Sequence, residues 1–383
     1  MSIVIVRDRE AAGGGIFHYY RRVAPSLQAA LRFVGVGRGH AFYGGGRWTG
    51  RLPTPVRLFS DWFRLVLELL RFPSLVHLNP GMDIKTRKSL RRDAVNLLLA
   101  KLFGRRVLVF WRGWHNDACG APEFPGGNAG WMSRAYRLAD AHVVLSSRFG
   151  DDLHRWGFDR PIHVETTVVG EEILAASPGP RTLPAGCPFR VLYLSRVEEA
   201  KGVFEMLDAF ALLEAGAPGR FQFSIAGDGP DLVELQARAD ELGLKSLRFL
   251  GYVGGDEKSR CFRDADAFCF LSYTEGMPNA VLEAMAMGLP LVSSDAGGLR
   301  DILEEGRTGF IVDYERGAPV RKRFSARQVA DRLEALAADP ECYEAMSRHN
   351  HELARERFAA PRVAARLEAI YREVVGEAEK LKS

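Results

Sequence analysis

Glu275 and Glu283 are the residues whose type and spacing speak most directly of chemistry. They bracket the stretch EGMPNAVLE, which follows the apolar run 267–271 and opens a predicted helix. A helix start carries unpaired backbone N–H groups and a positive partial charge, which favours phosphate. Carboxylates are poor partners for phosphate and good ones for vicinal hydroxyls, because their oxygens only accept hydrogen bonds. Hydroxyls beside a phosphate describe a nucleotide sugar. Each acid also has a plainer reading, as a solvated loop charge or a charge drawn to the helix start by its dipole.

The elements that must hold such a site follow from periodicity. The chain opens on an apolar strand at 3–6, then a loop with Gly13, Gly14 and Gly15, then a helix from near Phe17. Strands at 75–78, 106–110 and 141–145 alternate with helical stretches, the pattern of a parallel sheet with crossover helices. Residues 177–188, SPGPRTLPAGCP, read as a linker. A second series follows, with strands at 189–194, 221–226, 247–250, 267–271, 289–293 and 309–312 and helices at 203–213, 231–242 and 279–287. The expected fold is α/β, with two doubly wound Rossmann-like domains facing a central cleft. They would occupy residues 1–178 and 189–360, and a C-terminal helix at 361–383 would cross back to the first. Ligands of such sheets sit at the carboxyl ends of the strands.

Composition narrows the function classes. The 383 residues are 47% hydrophobic and 26% charged, as in a globular protein, and the net charge of +4 is far below that of a dedicated nucleic-acid binder. The five cysteines are odd in number and form no C-x-x-C pair, so reduced thiols and a cytoplasmic setting are expected. MSIVIVRDRE reads as a strand, not a signal peptide, and no apolar run is long enough to span a membrane.

The second half carries LYLSRVEEAKG, IAGDGP, FLGYV and ADAFCFLSYTEGMPNAVLEAMAMGLPLVSSDAGGLRDILEEGRTGFIV, in that order. This series resembles the retaining glycosyltransferase family 4, which has the two-domain GT-B architecture. The resemblance is strong over 189–315 and extends to the first half in outline. It implies that Arg196 and Lys201 clamp the donor diphosphate, as an Arg fork and a Lys point charge can. It implies that Glu283 holds the ribose hydroxyls and that Glu275 contacts the donor sugar. Gly276, Met277, Pro278 and Asn279 would present backbone groups, Tyr252 and Val253 would flank the base, and Gly14 and Gly15 would approach the diphosphate from the first domain. The family often has a histidine after its fourth N-domain strand. Here VLVFWRGWHND puts Arg112 before Gly113, with His115 the nearest histidine, and either can line the site. ETTVVGEEI stands in place of the family's Pro-Asn-Gly-Val-Asp turn.

Other signals have plainer readings. The glycine loops at 13–15 and 227–229 lack the third glycine of a dinucleotide fingerprint, yet both let a phosphate near the backbone. Asp264-Ala265-Asp266 spells a D-x-D metal motif, but its place at a helix end reads as solvated charge. Between 84 and 106, Lys85, Arg87, Lys88, Arg91, Arg92, Lys101, Arg105 and Arg106 face only Asp93. The run is a solvated helix face or, through Lys85, Arg87, Lys88, Arg91 and Arg92, a docking surface for an anionic membrane.

The expected activity is transfer of a sugar from a nucleoside diphosphate sugar to an acceptor hydroxyl, in cell-envelope polysaccharide or glycolipid synthesis, with retention of configuration. Glu275 and His115 would be the catalytic pair, with neither metal nor cofactor, in a cytoplasmic protein able to sit at the inner face of a membrane. The partners would be the donor and a glycan or lipid-linked acceptor. Rival classes are a nucleotide-sugar epimerase or hydrolase, and a non-catalytic scaffold subunit.

Overall fold

The computed structural model describes residues 1–8, 15–37, 54–82, 87–114, 120–183, 188–313 and 323–380. They form two compact units, Met1–Val168 with Ala360–Ser383, and Val169–Ala359.

The first unit is built on a parallel sheet of β1 (Ser2–Asp8), β2 (Ala30–Val36), β3 (Leu75–Leu78), β5 (Arg106–Phe110), β7 (Ala141–Val144) and β8 (Ile162–Val164), in the order β2-β1-β3-β5-β7-β8. A parallel pair, β4 (Gly81–Met82) and β6 (Gly113–Trp114), stands apart. The central strands are apolar runs because helices cover both faces of such a sheet. These helices are α1 (Gly15–Val23), α2 (Thr54–Leu69), α3 (Lys88–Leu102), α4 (Trp131–Tyr136) and α5 (Ser147–Arg155). The edge strands β2 and β8 escaped the sequence reading because both are half-exposed and lack an apolar run.

The second unit repeats the plan. Strands β9 (Phe189–Leu194), β10 (Phe221–Ala226), β11 (Leu247–Gly251), β12 (Ala267–Phe270), β13 (Leu291–Ser293) and β14 (Gly309–Ile311) form a parallel sheet ordered β11-β10-β9-β12-β13-β14. Around it lie α6 (Glu171–Ala176), α7 (Val203–Gly216), α8 (Leu232–Glu241), α9 (Gly255–Asp264), α10 (Asn279–Ala286), α11 (Ala326–Ala338) and α12 (Pro340–Leu353).

The contacts divide the chain at Val168, ahead of the Pro/Gly stretch where the sequence placed the boundary. The physical reason is that this stretch is fastened to the second unit. Ser177 Oγ donates to the Ala286 carbonyl at 2.8 Å. The Arg181 guanidinium donates to the carbonyls of Met287 (2.8 Å), Phe262 (2.9 Å), Arg263 (3.0 Å) and Ala265 (2.5 Å), and so ties down the ends of α9 and α10.

The last helix, α13 (Ala360–Lys380), belongs to the first unit. Its Glu368 accepts the backbone N–H groups of Gln28 and Ala29, and its Arg366 forks onto Glu165 at 2.9 and 3.1 Å. Its Tyr371 hydroxyl lies 2.8 Å from Nδ1 of His77 on β3.

Two fully buried histidines give the first unit an acid sensitivity. His142 accepts a hydrogen bond from Trp111 Nε1 at 3.3 Å, and burial pushes its imidazole down to about 3. His77 is lowered well below its ordinary range by burial and then by the Arg112 charge. Both are neutral in the fold and take up protons on unfolding. Their stabilisation is therefore whole above about pH 6.5 and is lost as pH falls from there toward about 3. The 6 tryptophans all precede residue 169, so their fluorescence reports this unit alone. Urea melts followed by that signal should lose about 2 kcal/mol at pH 5 through His142. His142→Phe, which keeps a ring beside Trp111 and Phe158, should flatten part of the pH dependence; an unchanged slope would rule His142 out as its source.

Candidate functional site

The strand order of the second sheet reverses between β9 and β12. Crossovers leave in opposite directions there, so a crevice opens at the carboxyl ends of these two strands. The loop after β9 carries Arg196 and Lys201, and the loop after β12 carries Glu275. Lys201 reaches between them: its Nζ donates to Glu275 Oε1 at 2.6 Å and to the Thr274 carbonyl at 3.2 Å. Both side chains keep 14% exposure, so the pair is accessible from one side.

The backbones are stitched around this pair. Tyr273 N–H donates to the Ala200 carbonyl at 3.0 Å, and Ser294 Oγ accepts from Ser272 N–H at 2.9 Å while donating to the Ser272 carbonyl at 2.8 Å. Two glycines are required by this closeness. Gly202 has a φ of 59°, and a Cβ there would stand 2.7 Å from Leu271. Gly297, with φ 57°, lies against the Glu275 carbonyl, where any side chain would collide, while Gly298 N–H donates to the Gly276 carbonyl at 2.7 Å. Arg196 is positioned through its carbonyl, which accepts the Tyr193 hydroxyl at 2.9 Å. Its guanidinium is half-exposed, 3.5 Å from Glu198.

Glu283 sits on α10, fully buried, in an ion pair with Lys258 of α9. The helix starts after Pro278, whose extended φ and ψ (−74°, 120°) make it the cap residue, and no side chain caps the first turn. Its leading N–H groups have no intrahelical partner. Met277 is buried, and Asn279 Oδ1 is buried without a hydrogen-bond partner among the described residues. Tyr252 lies exposed just past β11, beside the buried Val253.

The crevice thus gathers Arg196, Lys201, Glu275, Gly276 and Asn279, with Glu283 beneath on the helix they introduce. Sequence reasoning missed Lys258, hidden in an ordinary polar helix, and Gly297-Gly298, whose only signal was a glycine pair after a strand. Gly15 begins α1, and His18 on the same helix lies half-buried against Phe17. Gly14, His115 and Lys85 lie outside the described residues.

Two readings need correction, and the 227–229 glycines gain a structural reason. Asp266 is not solvated charge: it is buried and takes a fork from Arg190 at 2.8 and 3.0 Å, plus Arg190 N–H at 2.8 Å. Gly227 and Gly229 make room for the backbones of Ser195 and Val197, so that loop supports the β9 loop from behind. Arg92 turns inward onto Asp93 at 2.8 Å, and Lys101 and Arg106 pair with Asp140 at 2.5 and 2.7 Å. The outward basic charge of α3 is therefore smaller than its composition suggests. Among the described residues no three His, Cys, Asp or Glu side chains cluster as a metal site.

Comparison with known proteins shows what this segment is similar to. The family model for glycosyl transferases group 1 matches residues 182–352, the segment that holds the whole crevice. The likeness to this family covers residues 182–352, less than half of the chain. The chain is 32% identical over 199 residues to glycogen synthase of Mycobacterium tuberculosis, covering 48% of this chain and 47% of that protein. It is 30% identical over 186 residues to alpha-D-kanosaminyltransferase of Streptomyces kanamyceticus, covering 48% and 45%. The chain thus spans about half the length of the curated relatives it matches. Among solved structures, Anabaena HepE in complex with UDP and glucose superposes with a TM-score of 0.70 over 97% of this chain and 99% of that one, at 17% identity. The lipopolysaccharide outer core galactosyltransferase WaaB, in its apo form, gives 0.66 over 97% and 100%, at 19% identity. At such identities the likeness is one of fold, and the fold is GT-B.

In the group 1 segment, Lys201 and Glu275 should behave as one unit. Lys201→Met and Glu275→Gln, made singly and together, should show a coupling of about 0.5–3 kcal/mol in urea melts, since either change alone strands its partner's charge. Additive effects would mean that the two groups do not share one site.

Proposed function

We propose that the chain is a retaining glycosyltransferase of the family 4 type, transferring a sugar from a nucleoside diphosphate sugar to an acceptor hydroxyl in cell-envelope polysaccharide or glycolipid synthesis. The observation that carries this reading is the Lys201–Glu275 pair, set beside Arg196 and the uncapped start of α10 at the strand-order reversal. Phosphates would take Arg196, Lys201 and the helix N–H groups. Glu275 would turn from Lys201 to sugar hydroxyls, and Glu283 would share its charge between Lys258 and the ribose. Electrostatic stabilisation of the leaving diphosphate is then the main catalytic contribution. Arg196 and Lys201 would supply the positive charge that a metal ion would otherwise bring to the diphosphate. Retention would follow from attack on the same face as the leaving group, with its phosphate oxygen taking the acceptor proton. The relatives support a sugar substrate by their names, and HepE supports a nucleotide sugar by its bound UDP and glucose.

A lipid-linked acceptor fits the surface of the first unit. Val56, Phe59, Phe63, Leu67 and Leu70 recur every three or four residues along α2 and into the turn after it, and all are exposed. Arg64 on α2 and Lys88 and Arg91 on α3 are exposed as well. An apolar stripe flanked by cations suits an anionic membrane face. No helix among the described residues is long and apolar enough to cross a membrane.

Screening uridine, guanosine and adenosine diphosphate sugars, with and without glycan acceptors, tests the activity. Product formation that needs no acceptor would favour the epimerase or hydrolase class. In the productive assay Glu275→Ala should lower kcat by about 100- to 1000-fold while the protein stays folded; wild-type turnover would refute its role. The full chain should co-sediment with vesicles containing anionic lipid, and Phe59→Ser with Phe63→Ser should abolish this. A wild type left in the supernatant would remove the membrane reading.

A further inference from the structure

The first sheet has its own reversal of strand order, between β1 and β3. Asn79 stands at the end of β3, and Arg112 follows β5, the next strand. The Arg112 guanidinium lies against two rings, its Cζ 3.7 Å from the Tyr19 centroid and 3.6 Å from the Phe110 centroid. Its Nε donates to Asn79 Oδ1 at 3.2 Å, and its backbone N–H to the Pro80 carbonyl at 3.0 Å.

Beyond close approaches to the Tyr19 and Tyr20 hydroxyls, neither terminal nitrogen has a hydrogen-bond partner among the described residues. Nη2 is buried without a hydrogen-bond partner, the side chain as a whole is only half-buried, and no carboxylate among the described residues pairs with it. Other arginines of the chain show the contrast: Arg92, Arg190 and Arg366 each lie on a carboxylate. A partly desolvated guanidinium without an anion is costly, and two rings offset only part of that cost.

The hydrogen bonds behind Arg112 have one consistent direction. Tyr20 donates to Asn79 Oδ1 at 2.9 Å, so it must accept from His77 Nε2 at 3.2 Å. His77 Nδ1 then accepts from Tyr371 at 2.8 Å, and Asn79 Nδ2 donates to the Val6 carbonyl at 3.1 Å. Every member is buried and neutral, so the network holds Arg112 in place without cancelling its charge.

We propose that Arg112 is a binding residue for an oxyanion, a carboxylate or a phosphate group, carried by the acceptor and distinct from the donor diphosphate. A guanidinium carries parallel N–H groups, the fork that matches such an anion in bidentate fashion. The inference rests on the reading of the first unit as the acceptor side.

Calorimetry of the full chain with glucuronate, glucose 6-phosphate and glucose tests it. One of the two anionic sugars should bind about tenfold tighter than glucose or better, and which one does so separates carboxylate from phosphate. Arg112→Met should erase that preference, and Arg112→Lys should lose most of it, because an ammonium lacks the fork. Equal affinity of wild type for all three sugars, or a preference that survives Arg112→Met, would overturn the proposal. Should Arg112→Met fail to fold by tryptophan fluorescence, Arg112→Lys decides alone. In the same samples, affinity for UDP, GDP and ADP should change less than about twofold in Arg112→Met. A tenfold loss there would reassign Arg112 to the donor diphosphate and sink the acceptor role. A wild type that binds none of the nucleotides would end the donor reading, while the sugar titrations still judge Arg112.

Discussion

A doubly wound sheet cannot close over the point where its strand order reverses. Crossover helices diverge there, and only the loops leaving two adjacent strands can reach the gap. The chemistry-bearing residues of the second unit all answer to that constraint. Lys201 and Glu275 come from opposite sides of the gap and meet at 2.6 Å, and the backbones beneath them are pressed together so tightly that Gly202 and Gly297 must lack side chains. The ion pair is thus a joint between two loops as well as a potential ligand site. Its exposed side is where a ligand would have to compete.

The first unit meets the same constraint with different chemistry. Its gap is backed by the neutral chain of Tyr371, His77, Tyr20 and Asn79, ending in the single charge of Arg112. That chain reaches from the C-terminal helix to β5, so a segment distant in sequence helps set the pose of a residue beside a strand end. Because burial keeps His77 neutral, Arg112 is the only charged member of the network.

Charge sorting explains why composition misled along α3. A run of basic residues looks like one surface, but a helix turns through its neighbours every few residues, and those facing inward need counter-ions. Asp93 and Asp140 supply them for Arg92, Lys101 and Arg106. The apolar residues of α2 divide in the same way: Leu65 and Leu69 enter the core, while Phe59, Phe63 and Leu70 remain outside.

By itself the sequence determined the alternation of strands and helices, because fully buried parallel strands must be apolar runs and the turns between them need glycine, proline and polar residues. The edge strands β2 and β8 lack that signal, being half-wet. It also carried the likeness of residues 182–352 to the group 1 glycosyl transferases. The partners of each charge were decided only in three dimensions. Lys258 meets Glu283, Asp266 meets Arg190 and Arg112 meets no carboxylate among the described residues, through strand order and helix rotation that bring together residues far apart along the chain. An ion pair depends on a few ångströms of separation, which linear spacing does not encode.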